Sequence, residues 1–200
     1  MRFLRDTVYP ALALLLFFTV LCGGVYTLLV TAAAQLFWPQ MADGGMVLAA
    51  DGSRYTTALG QPYQQPGHLW GRPQAGDMMA FSAADGQPLF YAEPDNRRLS
   101  EERYQRLVQQ RAVLLQALHP EMAGQPVPLE LVTSSGSGLD PDISPAAAQY
   151  QVKRLARTTG HSEDEIQAVI DRCTEHKLWG IFGAPRVHVT QVNLLLDGKL

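Results

Sequence analysis

The first fifth of the chain has no hydrophobic period. No charged residue occurs between Asp6 and Asp43, and residues 11–38 are mostly Leu, Ala, Val, Phe and Thr, with Gln35 the strongly polar exception. Roughly 20 apolar residues at about 1.5 Å rise cover the roughly 30 Å hydrocarbon layer, so this run is long enough to span a membrane with some tilt. A core helix apolar on every face has no place in a small domain. A cleaved leader would find a basic start in Arg2 and Arg5 and a small-residue site in Ala32 and Ala34, but its apolar stretch usually runs about 7 to 15 residues rather than about 20. The pattern predicts a tail over 1–10, one membrane-spanning helix over 11–34 and a single domain over 35–200.

Beyond the helix the period changes. Residues 43–125 carry short apolar runs at 46–50 and 89–92 among the turn pairs Asp51-Gly52, Pro66-Gly67 and Asp85-Gly86, which read as strands and loops. One helix interrupts them, capped by Ser100 and ended by Pro120. Its Tyr104, Leu107, Val108, Arg111, Leu114, Leu115 and Leu118 form a face expected to pack on the domain's own sheet. Residues 127–132 read as a short strand. Ser144 and Pro145 then take the N-cap and first positions of a helix whose Ala148, Val152, Leu155 and Ala156 share a face and which Gly160 ends. Ser162 and Glu165 make a capping box for the next helix, with Ile166, Val169, Ile170 and Cys173 as its buried stripe. The chain turns through Gly180 and residues 183–185 into a last strand. There Val187 and Val189 alternate in one phase and Val192, Leu194 and Leu196 in the other, which a bulge near Thr190 or Gln191 reconciles. The fold expected is a single N-terminal transmembrane helix plus one α/β (α+β) soluble domain.

Composition fits one domain with a real core, at 200 residues and 46% hydrophobic. Arg2 and Arg5 precede the helix, whereas Asp43 and Asp51 come before the first basic residue beyond it, Arg54. The positive-inside rule then leaves the N-terminus in the cytoplasm and the domain outside, periplasmic on an inner membrane. Setting aside Arg2, Arg5 and Asp6 from 16 basic and 19 acidic residues leaves a charge of −4 beyond the helix, which gives no reason to expect a nucleic-acid partner. Cys22 lies in the apolar run and Cys173 in a soluble helix, so no disulfide forms within the domain.

The most unusual segment is the Gly-Ser stretch over 133–145. Its Gly136 and Gly138 reach backbone conformations closed to other residues, and its hydroxyls and carboxylates order loops by bonding amides. It lacks the Lys of a Walker loop, and Ser137 has its glycines adjacent rather than two residues away, unlike a nucleophile elbow. Asp140 and Asp142 are expected to satisfy local amides. Cys173 and His176 lack a second pair at zinc spacing, so no metal site is expected. In the helix, Gly23 and Gly24 with Thr19, Thr27 and Thr31 offer positions for close approach by another helix, and Trp38 suits the membrane interface.

Several of these residues carry a resemblance. Residues 127–133, the turn through Gly138-Leu139-Asp140, residues 143–148 and Tyr150-Gln151-Val152 are similar to the C subunit of the Kdp potassium-transporting ATPase. Matches in order flank them: Gly24-Val25-Tyr26, Gly60-Gln61, Gly71-Arg72-Pro73, Pro185-Arg186-Val187 and Asn193-Leu194. The resemblance implies a non-catalytic subunit of an ATP-driven potassium uptake complex. Its partners are the ATP-hydrolysing subunit and the channel-like potassium-binding subunit, which handle ATP and potassium, so the chain needs no cofactor of its own. It also implies a catalytic chaperone that raises the ATP affinity of the hydrolysing subunit. A domain facing outward cannot meet cytoplasmic ATP, which favours a clamp over the mouth of the channel-like subunit. Partner contacts are expected at Gly23, Gly24, Thr27, Gly136, Ser137, Gly138, Leu139, Asp140, Pro185 and Arg186. Asp142 stands where the family commonly has His or Asn, Ala184 where it has Glu or Gln, and His188 where it has Asn. The Gly-Gly-Ser-Asn-Leu stretch usual after the Arg-Pro motif has no counterpart around residues 89–96. The alternative reading is a tethered extracytoplasmic ligand-binding protein or enzyme unrelated to potassium transport.

Overall fold

The computed structural model describes residues 2–74, 94–98 and 100–200. The strand expected over 89–92 and the turn at Asp85-Gly86 lie outside the described residues. The chain divides into two compact units, Met1–Met46 and Val47–Leu200.

The first unit is built on α1, a continuous helix over Leu4–Phe37. It is the one helix among the described residues long and apolar enough to cross a membrane, with mean hydropathy 2.3 over its most apolar stretch. It widens into a π-helical stretch over Thr19–Tyr26, which contains Gly23 and Gly24. The Thr27 hydroxyl donates back to the Cys22 carbonyl at 2.8 Å, five residues earlier, one of the local adjustments that re-satisfy backbone carbonyls inside a membrane helix. Trp38 leaves helical geometry at φ −140°, just before Pro39 opens a single turn over Pro39–Ala42.

The second unit is a mixed α/β domain. A two-stranded sheet pairs β1 (Met46–Leu48) with β2 (Arg54–Thr56). Helix α2 (Glu102–Leu118) follows, then β3 (Asp142–Ile143), α3 (Pro145–Thr159), α4 (Glu163–Arg172), β4 (Thr174–Glu175), β5 (Arg186–His188) and α5 (Val189–Leu196). Strands order as β3-β5-β4, all antiparallel, with Asp142 opposite His188 and Thr174 opposite Val187. Val187, on the central strand, is fully buried. The core gathers Ile143, Val152, Leu155, Ile166, Ile170, Val187 and Val192 around α3, with Leu69 entering from the extended segment over 57–74.

Local signals place the helix ends. The Ser144 hydroxyl accepts from the Ala147 amide, with Pro145 at the first position, and Gly160 closes α3 at φ +80°. Ser162 and Glu165 form a complete capping box on α4. Cys173 is buried, and burial pushes its thiol up to about 11.

Four sequence expectations are corrected. Residues 127–132 are not a strand: Leu129–Leu131 is a 3-10 turn, and its N-cap Pro128 has no amide to give a ladder. Strand β5 stops at His188, and Val189–Leu196 is helical. At a 3.6-residue period Val189, Val192 and Asn193 fall on one buried face, so no bulge is needed. The N-cap of α2 is Glu101, not Ser100. Finally, the expected face of α2 is only partly covered among the described residues: Tyr104 and Leu115 are buried, but Leu114 is exposed and lines a cleft of about 720 Å³ beside residues 61–74.

Candidate functional site

The Gly-Ser loop is a tied structure whose polar groups bond one another. The Gly138 amide donates to the Ser135 carbonyl at 3.1 Å, with Gly138 at φ +73°. The Leu139 amide donates to the Ser137 hydroxyl at 3.2 Å and the Asp140 amide to the Ser135 hydroxyl at 3.3 Å. The Asp140 carboxylate accepts from the Asp142 amide at 3.2 Å, as expected of an acid in such a turn.

Two distant segments clamp this loop. On one side Arg72 donates to the Ser134 carbonyl at 2.9 Å and the Thr133 carbonyl at 3.4 Å, and lies 3.5 Å from the Asp140 carboxylate. The Gly60 amide donates to the Leu139 carbonyl at 2.8 Å. The approach there is so close that a Cβ on Gly60 would sit 2.5 Å from the Asp140 carbonyl oxygen, so only glycine fits. On the other side the Asp95 amide donates to the Gly136 carbonyl at 3.2 Å. Arg97 binds the Asp95 carboxylate through two nitrogens at 2.7 and 2.8 Å, holding that carboxyl well below its usual range. Arg97 also lies over the Tyr104 ring at 4.9 Å.

The arm that carries Arg72 is itself anchored by side chains acting as a strand would. The Leu69 amide donates to the Asn193 side-chain oxygen at 2.7 Å, and the Asn193 amide group donates back to the Leu69 carbonyl at 2.9 Å. Trp70 makes the same reciprocal pair with Gln151, both bonds at 2.9 Å. Beneath them Arg154, almost wholly buried, donates to the carbonyls of Pro66 and His68, to the Gln151 oxygen at 2.7 Å and to His119 Nε2 at 2.9 Å, with Trp70 stacked over it at 4.8 Å. No carboxylate faces it among these contacts, and burial pushes its pKa down to about 10.

Sheet pairing brings the two expected contact segments together. The Val189 amide donates to the Pro141 carbonyl at 3.2 Å, and Asp142 and Ile143 pair with His188 and Val187, so the base of the loop adjoins strand β5. Gly136 and Ser137 are exposed at the loop tip, Gly138 is buried, Leu139 and Asp140 are half-buried, Pro185 is half-buried and Arg186 is exposed. Arg186 reaches the Glu175 carboxylate at 2.8 Å and that of Asp142 at 3.3 Å. Gly23, Gly24 and Thr27 belong to the other unit, on a helix with open space beside both glycines. Gln151, Arg154 and Asn193 were missed as site residues. Their signal was a polar side chain at a position of helical period otherwise filled by core residues, a pattern that marks buried amides needing partners.

A model of the family described as "KdpC: K+-transporting ATPase, c chain" matches residues 8–198. Proteins named potassium-transporting ATPase KdpC subunit are similar along nearly the whole chain. One from Sorangium cellulosum is 45% identical over 191 residues, covering 94% of this chain and 96% of its own. One from Clostridium botulinum is 40% identical over 195 residues, covering 96% of each. A third, from Clostridium perfringens, is 39% identical over 201 residues, covering 100% of this chain and 99% of its own.

Proposed function

The chain belongs to the KdpC family, the c chains of K+-transporting ATPases, and on that premise we propose that it assembles and stabilises the pump without catalysing any step itself. In this reading it works as a catalytic chaperone for the ATP-hydrolysing subunit and clamps the channel-like subunit from the extracytoplasmic side. ATP and potassium remain with those partners.

The observation that carries the reading is the state of the Gly-Ser loop. The Ser135, Ser137 and Asp140 side chains accept from the loop's own amides, and the loop's carbonyls accept from Arg72 and from the Gly60 and Asp95 amides. A loop held this way offers a surface of fixed shape, suited to docking, rather than a poised nucleophile or a free phosphate cradle. Gly136 and Ser137 at its tip and Arg186 on the strand beside its base form the proposed docking surface; Gly23, Gly24 and Thr27 form the proposed helix contact.

Deleting the chain from the complex is expected to abolish growth at low potassium and potassium-stimulated ATPase activity, with the two larger subunits no longer co-purifying. Growth unchanged by the deletion would refute the assembly role. Orientation has its own check: a variant with Ala168→Cys, exposed on α4 away from the proposed docking surface, should react with a membrane-impermeant maleimide in intact cells, and labelling only after lysis would reverse the topology.

A further inference from the structure

Between β4 and β5 the chain makes a hairpin extension that carries four large apolar side chains into solvent. Leu178 is 60% exposed, Trp179 81%, Ile181 75% and Phe182 59%. Disorder does not explain the exposure. Leu178 and Phe182 exchange both backbone bonds, at 2.9 and 3.0 Å, and the Gly180 and Ile181 amides donate to Lys177 and Leu178 carbonyls at 3.1 and 3.2 Å. The turn is built from left-handed residues: Gly180 at φ +74°, Gly183 at φ +81°, and Trp179 at φ +53°, a conformation rare for an aromatic residue. Trp179 and Phe182 meet edge to face at 6.2 Å. A bulky residue held in an unfavourable conformation at an exposed tip points to a use for its side chain.

We propose that this tip, Leu178, Trp179, Ile181 and Phe182, dips into the interfacial zone of the lipid bilayer that α1 crosses. The proposal rests on α1 being a membrane anchor, and three features select lipid as the occupant. The covalent link is short: nine residues separate Phe37 from Val47, at most about 35 Å of extended chain, so lipid is present at high effective concentration for any apolar element of the domain. The tip carries Trp and Phe with aliphatic neighbours, the mixture favoured at membrane interfaces, and its one side-chain polar atom, the indole N–H, is the kind that faces headgroups. At its base Lys177 is an exposed cation next to the apolar run, placed to meet lipid phosphate.

The test uses the full chain in phosphatidylcholine vesicles in which part of the lipid is brominated near the glycerol backbone. The chain has three tryptophans, and Trp38 at the helix end reports on anchoring. In a Trp38→Phe background the remaining emission should still be quenched by brominated lipid, and adding Trp179→Phe should remove at least half of that quenching. Trp179 is the most exposed large apolar residue among the described residues, so its replacement leaves the fold intact, which circular dichroism checks. Quenching unaffected by Trp179→Phe overturns the proposal. So does a Trp179 that brominated lipid never quenches but that the other pump subunits shield from aqueous iodide; its partner would then be a protein pocket. If Trp38 itself is not quenched in the parent chain, the anchor has failed as well; if it is quenched and Trp179 is not, only the tip has.

Discussion

His188 Nδ1 lies 3.2 Å from Asp142 Oδ1, and the two residues are register partners across β3 and β5. The sheet register makes these two side chains one pair. Both side chains are largely buried, 15% exposed for Asp142 and 17% for His188. Burial raises the Asp142 carboxyl above its ordinary value, even though the charges of His188 and Arg186 pull it down. A raised carboxyl favours the fold when protonated. That contribution is complete below about 3.8 and lost as pH rises through the folded value. Asp142→Asn removes the buried charge, so it should gain on the parent as pH rises from 3.5 to 7.5. Thermal midpoints in detergent at the two pH values decide it. A variant that instead loses ground at pH 7.5 would mean that the ion pair outweighs desolvation.

His119 predicts the opposite slope. It is 1% exposed, its Nδ1–H donates to the Leu115 carbonyl at 2.7 Å, and its Nε2 accepts from Arg154 at 2.9 Å. It must therefore be neutral in the fold. Burial, first, and the Arg154 charge lower its pKa below 6.5, against the Leu115 bond. Its contribution is full above about 6.5 and is lost as pH falls through the lower folded value. Stability of the parent should drop between pH 7 and 5, and His119→Gln should flatten that drop while lowering stability at pH 7.5. Equal pH slopes in the two proteins would rule out His119 as the cause.

Glycine substitutions separate shape from freedom. Gly60→Ala would force a Cβ to 2.5 Å from the Asp140 carbonyl, backbone against backbone, while Gly136→Ala meets nothing within 4 Å. The first should cost about 1 to 3 kcal/mol as an overpacked contact and loosen the Gly-Ser loop. The second should stay within about 0.5 kcal/mol. Hydrogen exchange at Leu139 and Gly138 reports the loop directly. Protection retained in Gly60→Ala would show that the close approach does not hold it.

What could be read from the sequence was local. Ser144 with Pro145, Ser162 with Glu165, and Gly160 each act within one helical turn, so they marked the ends of α3 and α4 correctly. The misreadings came where partners are remote. Val189–Leu196 alternates enough to read as a strand, and only the burial of Asn193 against Leu69, 124 residues away, shows why a helix is preferred. The loop clamps behave alike: Arg72 reaches Ser134 across 62 residues, and nothing in either segment names the other. The apolar run of α1 was plain because a membrane-spanning helix needs no partner to be recognised.

Those remote partners give the sharpest prediction. Asn193 and Gln151 satisfy the peptide groups of adjacent residues, Leu69 and Trp70, from different helices. Truncating either to Ala leaves a buried amide and carbonyl unpaired, at a cost of about 1 to 3 kcal/mol. The two losses should not add. Once Leu69 is released, the arm over residues 66–72 moves away from α3, and the Gln151 bonds to Trp70 are weakened before Gln151 is touched. The double variant should therefore fall short of the sum by at least about 0.5 kcal/mol in a double-mutant cycle. The same release frees Arg72 from the Gly-Ser loop, so either single variant should also weaken co-purification with the other pump subunits. Strict additivity, or normal assembly in a variant whose arm is loosened, would mean that the arm positions nothing the partners use.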